Sequence, residues 1–114
     1  MKVKVKRAYD KVEKSDGFRL LADRLWPRGV SKASAKIDLW AKEVTPSNKL
    51  RTWFHKDKIK RFGDFSKQYK AELMKNGGVK KLKKSLQGKS IVTIVTGVKD
   101  IEHSHIPTLL KMLK

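Results

Sequence analysis

Cysteine is missing from the chain altogether, so it has no disulfide, no thiolate nucleophile and no cysteine-based zinc or iron–sulfur site. That composition fits a reducing interior. Acid is scarce: 11 Asp and Glu face 29 Lys and Arg, for a formal net charge of +18. No uninterrupted apolar run approaches the length of a membrane span, and the start, Met1-Lys2-Val3-Lys4-Val5-Lys6, lacks the apolar core of a secretory signal. Also missing are a P-loop lysine spacing, a three-glycine dinucleotide fingerprint and a nucleophile elbow. No internal repeat or low-complexity linker divides the 114 residues, which are expected to form a single domain, 1–114, long enough to bury a core without staples. The expectation is a soluble cytoplasmic protein without membrane contact.

Lysine is what the chain has in excess. Of the basic residues 23 are Lys and six are Arg, a field that attracts polyanions and discourages self-association, which favours a monomer. Lysine is the usual solvated surface charge, whereas the planar fork of arginine suits bidentate contacts to carboxylate or phosphate. Genome bias or a hot habitat also enriches lysine, so charge alone does not identify a nucleic-acid ligand. Arg7, Arg19, Arg24 and Arg28 all fall in the first 28 residues.

Periodicity supplies the elements. Val3 and Val5 alternate with lysines, the pattern of a strand with one wet face. Lys11–Asp16 is too short for a crossover helix and predicts a loop or a single turn. Phe18–Asp23 reads as the second strand, and Trp26-Pro27-Arg28-Gly29 must leave regular structure. Ser31 caps a brief helix through Lys36, and Ile37, Leu39 and Ala41 suggest a weaker third strand. Ser47 then caps a helix that turns Leu50, Trp53 and Phe54 inward. Ile59, Phe62, Phe65, Tyr69 and Leu73 recur at helical spacing, with Gly63-Asp64 as a candidate start and Asn76-Gly77-Gly78 as the break. A helix with Val79, Leu82 and Leu86 follows. Ile91–Val95 is β-branched throughout and predicts a central parallel strand. The last helix spans Ser104–Leu113, with Pro107 in its first turn.

Charges of both signs where a buried strand ends mark the place at which open α/β sheets bind ligands. Two such ends converge in this reading, Asp23–Gly29 and Thr96–His105. Arg24 and Arg28 offer fork-like donors to an anion there, and the start of the last helix adds free N–H groups and a positive dipole. His105 could move protons near neutral pH, and Asp23 could orient a base or act as one. Arg51 and His55 lie four apart on one helix face and can project toward the same ligand. Each residue also has a plainer reading: Asp23 with Arg24 as a structural ion pair, and His55 as a helix-terminal charge. His-x-His is a weak metal signal, and no metal site is expected. Lys80, Lys81, Lys83 and Lys84 line the outer face of their helix, either solvated or set against a phosphate backbone.

These residues carry a resemblance. Asp23-Arg24-Leu25-Trp26-Pro27-Arg28-Gly29, together with Lys6-Arg7-Ala8-Tyr9-Asp10, Trp40-Ala41-Lys42-Glu43, Leu50-Arg51 through His55, and His103-Ser104-His105, resemble the YeaO-like branch of the DUF488 family over nearly the full length. The resemblance implies a small α/β domain and makes Arg7, Asp23, Arg24, Arg28, Arg51, His55 and His105 candidates for one shared site. It implies no particular reaction or cofactor. The chain departs from the family pattern at Thr96-Gly97-Val98, usually Tyr-Ser-Ala, and at Ser104, usually Asn.

The expected fold is therefore α/β, a mostly parallel sheet of about four strands flanked by helices in a Rossmann-like three-layer arrangement. The expected function is binding of an anionic small molecule, phosphate- or nucleotide-like, with Asp23, His55 and His105 as candidate acid–base groups and Arg7, Arg24, Arg28 and Arg51 as anion ligands. The alternative is a basic nucleic-acid-binding module.

Overall fold

The Val–Lys alternation at the start forms strand β1 (Lys2–Arg7) in the computed structural model, which describes residues 1–114. It is joined by β2 (Phe18–Leu21), β3 (Leu39–Trp40) and β4 (Ile91–Thr96) in one wholly parallel sheet of order β1-β4-β2-β3. The β-branched run of β4 sits between β1 and β2, as a strand with no wet face must. Two strands are shorter than the sequence predicts. β2 pairs with β4 only from Phe18 to Leu21, although the Ala22 N–H still reaches the Val95 carbonyl at 3.0 Å. β3 keeps Leu39 and Trp40 opposite Leu20 and Leu21.

Register then sorts the side chains, because neighbours in a strand face opposite ways. Val3, Val5, Leu20, Val92 and Ile94 share one face; Lys4, Lys6, Arg19, Leu21 and Thr93 share the other. After the short α1 (Lys32–Ala35) come α2 (Asn48–His55), α3 (Lys58–Asn76), α4 (Gly78–Ser85) and, following β4, α5 (Ile106–Leu113). Phe54, Phe65, Tyr69, Leu73, Leu82 and Leu109 from these four longer helices join the apolar sheet face in one buried cluster.

The opposite face has a thinner cover, α1 and a 3-10 turn at Lys14–Asp16. Burial there is polar. Asp16 is fully buried, and its carboxylate accepts from Arg19 Nη1 at 2.6 Å, Lys6 Nζ at 3.0 Å and the Glu13 N–H at 3.0 Å. The Asp16 carbonyl accepts from Thr93 Oγ1 at 2.7 Å, and Arg19 Nε donates to the Ala35 carbonyl at 3.0 Å. The three expected layers are present, with outer layers of unequal weight.

Capping follows the sequence in most places. Ser31 accepts from the Ser34 N–H and Ser47 from the Leu50 N–H. α3 and α5 are the exceptions; α3 starts at Lys58 with Asp57 as its cap and carries Gly63 in its interior. A mid-helix glycine costs roughly 0.5–1 kcal/mol relative to alanine, and the apolar stripe of α3 outweighs that. α5 starts at Ile106, whose N–H is taken by Ser104 Oγ at 3.1 Å. No helix is long and apolar enough to cross a membrane.

Candidate functional site

Parallel strands deliver all their C-terminal ends to one edge of the sheet, and the adjacent ends of β2 and β4 meet there. The Asp23 carboxylate accepts from Thr96 Oγ1 and from the Gly97 N–H, both at 2.7 Å. Its main-chain carbonyl accepts from Trp40 Nε1 at 2.7 Å. Asp23 and Arg24 form no ion pair; Arg24 Nε donates instead to the Pro46 carbonyl at 3.1 Å, which leaves both Nη groups free of protein partners. Trp26 packs edge-on against Trp40 with centroids 5.3 Å apart and donates to the Val30 carbonyl at 2.6 Å, so the loop after β2 is held in place.

Above this junction is a cavity of about 150 Å³ lined by Asp23, Arg24, Arg51, His55, Lys58 and His105, with Phe54 and Phe65 among its apolar walls. The structure thus brings five of the seven candidate residues together. Arg7 is elsewhere: its Nε donates to the Val98 carbonyl at 3.2 Å and its Nη2 to Gly97 at 3.4 Å, pinning the loop after β4. Arg28 is exposed and does not line the cavity. Lys80, Lys81, Lys83 and Lys84 are exposed on α4, which contributes no residue to the cavity.

Within the cavity the charges are unevenly satisfied. Burial pushes the Asp23 carboxyl up, but His105, the Gly97 N–H and Thr96 together outweigh it and hold the group below the usual carboxylate range. Arg51 donates weakly to Asn48 Oδ1 at 3.4 Å, while its Nε is buried with no partner. Lys58 takes part in no ion pair. His105 is buried and donates from Nε2 to the Ala22 carbonyl, with Asp23 Oδ1 3.5 Å away. The α5 N-terminus contributes less than expected, because Ser104 already takes the Ile106 N–H and Pro107 has none.

Chemistry at this site is limited by where the hydroxyls point. Ser104 Oγ donates to the Ile101 carbonyl at 2.6 Å, Thr45 Oγ1 to Lys42 at 2.5 Å, and Thr96 Oγ1 to Asp23. None is hydrogen-bonded to a histidine, the arrangement that activates a nucleophile. No three side chains among His, Asp and Glu come together at metal-binding spacing.

A family model described as the inactive DUF488-N3 subclade matches residues 2–114. The chain belongs to the DUF488 family. The protein YeaO of Escherichia coli K12 is 38% identical over 114 residues, covering 100% of this chain and 98% of YeaO. Rv3073c of Mycobacterium tuberculosis H37Rv is 38% identical over 112 residues, covering 98% and 93% of the two chains. Both carry the name of uncharacterised proteins. No solved structure matches.

Sequence reasoning missed one cation of this DUF488 site, Lys58. It opens α3, three residues beyond His55, and the placement of the helix start at Gly63-Asp64 hid it. Phe65 was legible only as core, yet it also walls the cavity. The cations leave a measurable mark on their neighbour: partial burial, then Lys58, Arg51 and His105, hold the His55 imidazole below its ordinary 6.5. An NMR titration should find His55 deprotonating at a lower pH than a model histidine. Added phosphate should move that titration upward, because an anion between Arg51 and Lys58 offsets the charges that oppose protonation.

Proposed function

We propose that this DUF488 domain binds a small phosphate-class anion in the cavity at the strand ends and does not turn it over. One observation carries the reading: Arg24, Arg51 and Lys58 converge on a small cavity whose one carboxylate is already engaged, and both Nη groups of Arg24 have no protein partner. Guanidinium donors without protein partners suit bidentate contacts to an oxyanion. The volume, about 150 Å³, is below the roughly 300–1,000 Å³ of pockets for drug-sized ligands, which suits a phosphate or the phosphate end of a larger molecule. Binding without turnover is supported by the engaged hydroxyls and by the description of the matching family model as inactive. The absence of cysteine suits action in the cytoplasm.

Thermal-shift and calorimetric titrations with inorganic phosphate test this, since a ligand that binds only the native state raises its melting temperature. Arg24→Ala removes contacts worth about 1.5–3 kcal/mol and should weaken phosphate about tenfold to a hundredfold with little effect on the fold. Unchanged affinity in that variant would defeat the reading. The alternative, a nucleic-acid-binding module, draws support from the exposed, unpaired Lys80, Lys81, Lys83 and Lys84. It predicts oligonucleotide binding that falls steeply with salt and ignores Arg24→Ala.

A further inference from the structure

The same cavity carries a requirement beyond charge, set by His105. The Ala22 carbonyl can only accept, so the ring nitrogen facing it, Nε2, must hold a hydrogen. In the neutral ring Nδ1 is then a bare acceptor. Nδ1 has no protein partner, and it is not among the buried atoms without one, which are Arg19 Nη2 and Arg51 Nε. The side chain is otherwise enclosed and lines the cavity, so Nδ1 opens into the cavity. The Asp23 carboxylate, which lines the same cavity, lies 3.5 Å from the other ring nitrogen, Nε2. An unprotonated oxyanion placed against Nδ1 meets its lone pair.

We propose that the cavity takes its anion together with one proton, shared between an anion oxygen and His105 Nδ1, so that it selects hydrogen phosphate over sulfate and over phosphodiesters. Hydrogen phosphate brings that proton as its own O–H. Sulfate and a phosphodiester carry none near neutral pH, and they can bind well only after His105 has taken one from solvent to become a donor at both nitrogens. The inference rests on the anion-binding reading of the preceding section and narrows its ligand class. It also disfavours an internal phosphate of a nucleic-acid backbone as the occupant.

Other groups near His105 titrate or bear charge, and the test must separate them. Asp23 and Arg24 face it from the end of β2, Arg51 and His55 from α2, Lys58 from α3, and His103 from its own segment, while Tyr69 of α3 presents its ring 6.1 Å away. Loss of charge at His55 weakens every anion, whereas the proton requirement acts only on anions that carry no proton, sulfate and dimethyl phosphate. The ratio of the phosphate and sulfate affinities, read at the alkaline end of the range where phosphate is the hydrogen phosphate dianion and matches sulfate in charge, therefore isolates it.

Calorimetric titrations of the native protein with phosphate, sulfate and dimethyl phosphate from about pH 5.5 to about pH 8.5 give that ratio. Phosphate retains at least one proton across the range. The expected result is a preference for phosphate over sulfate that widens as pH rises, by up to about tenfold per pH unit, the slope of one linked proton, with dimethyl phosphate behaving like sulfate. In His105→Gln the pH dependence of the preference should disappear. A preference that stays constant across the range in the native protein overturns the proposal, whether or not the variant folds, and leaves anion binding standing. Failure of phosphate itself to bind at any pH overturns both.

Discussion

Asp16→Ala is expected to destabilise the fold by about 3–5 kcal/mol, the scale for removing one partner of a buried ion pair, and to lower Tm by about 10–20 °C in a domain of this size. The cause is what stays behind. Arg19 is buried, its Nη2 already has no partner, and Asp16 is the only carboxylate paired with its guanidinium. Losing Asp16 strands a guanidinium beneath the 3-10 turn and releases Lys6 and the Glu13 N–H together. A second substitution locates the cost: in an Arg19→Met background Asp16→Ala should cost markedly less, because no buried charge is left behind. Equal costs in the two backgrounds would refute the assignment.

The same pair sets a response to acid. Burial raises the Asp16 carboxyl, but the Glu13 N–H, Lys6 and Arg19 outweigh it and hold the group below its ordinary 3.8. A carboxyl held low in the folded state binds fewer protons than in the unfolded one. Its contribution is full above the ordinary value and is lost as pH falls through the folded one. Chemical denaturation of the native protein should therefore show stability falling below about pH 4, and Asp16→Ala should flatten that fall.

Gly17→Ala is the second large effect, at about 2–5 kcal/mol from backbone strain and overpacking together. Gly17 has φ 64° and ψ −132°, and a β-carbon there would lie 2.4 Å from the Ile91 carbonyl oxygen. The contact is with backbone at the start of the central strand, so no side chain can swing away to relieve it. Gly29, also at positive φ, has nothing within 4 Å of a built β-carbon and provides the control, since Gly29→Ala bears the strain without the clash. Urea denaturation of both variants measures the difference, and a Gly17→Ala cost no larger than that of Gly29→Ala would remove the clash from the explanation.

These two neighbouring positions mark where sequence reading stops. β4 was legible because five successive residues, four of them Ile or Val, leave no face for water, and α3 because Phe62, Phe65, Tyr69 and Leu73 keep one stripe. The edge at which the site lies followed from the same patterns, since Asp23-Arg24 had to come at a strand end. The buried charge pair was not legible, because Lys-x-Lys in β1 and Lys-Ser-Asp in the turn both read as solvated until register places Lys6 and Arg19 on one face. Arg7 and Arg28 looked equivalent to Arg24 in the sequence. They separate only when loop carbonyls claim the first and solvent the second. The α3 start was misplaced because a glycine preference of under about 1 kcal/mol is too weak a stop signal against a long apolar stripe.

The borders of the sheet have a consequence for how copies of the chain meet. A strand with an unpaired outer edge is a template for a neighbour's strand, and proteins guard such edges with lysine or by keeping the edge strand short. Both devices are present here. β1 is the border on one side and bears Lys2, Lys4 and Lys6; β3 is the other border and has two residues. Edge-to-edge polymerisation would have to bring lysine against lysine along β1 or grow from a stub at β3, so concentrated solutions of this chain have little path toward cross-β fibrils while the sheet is intact.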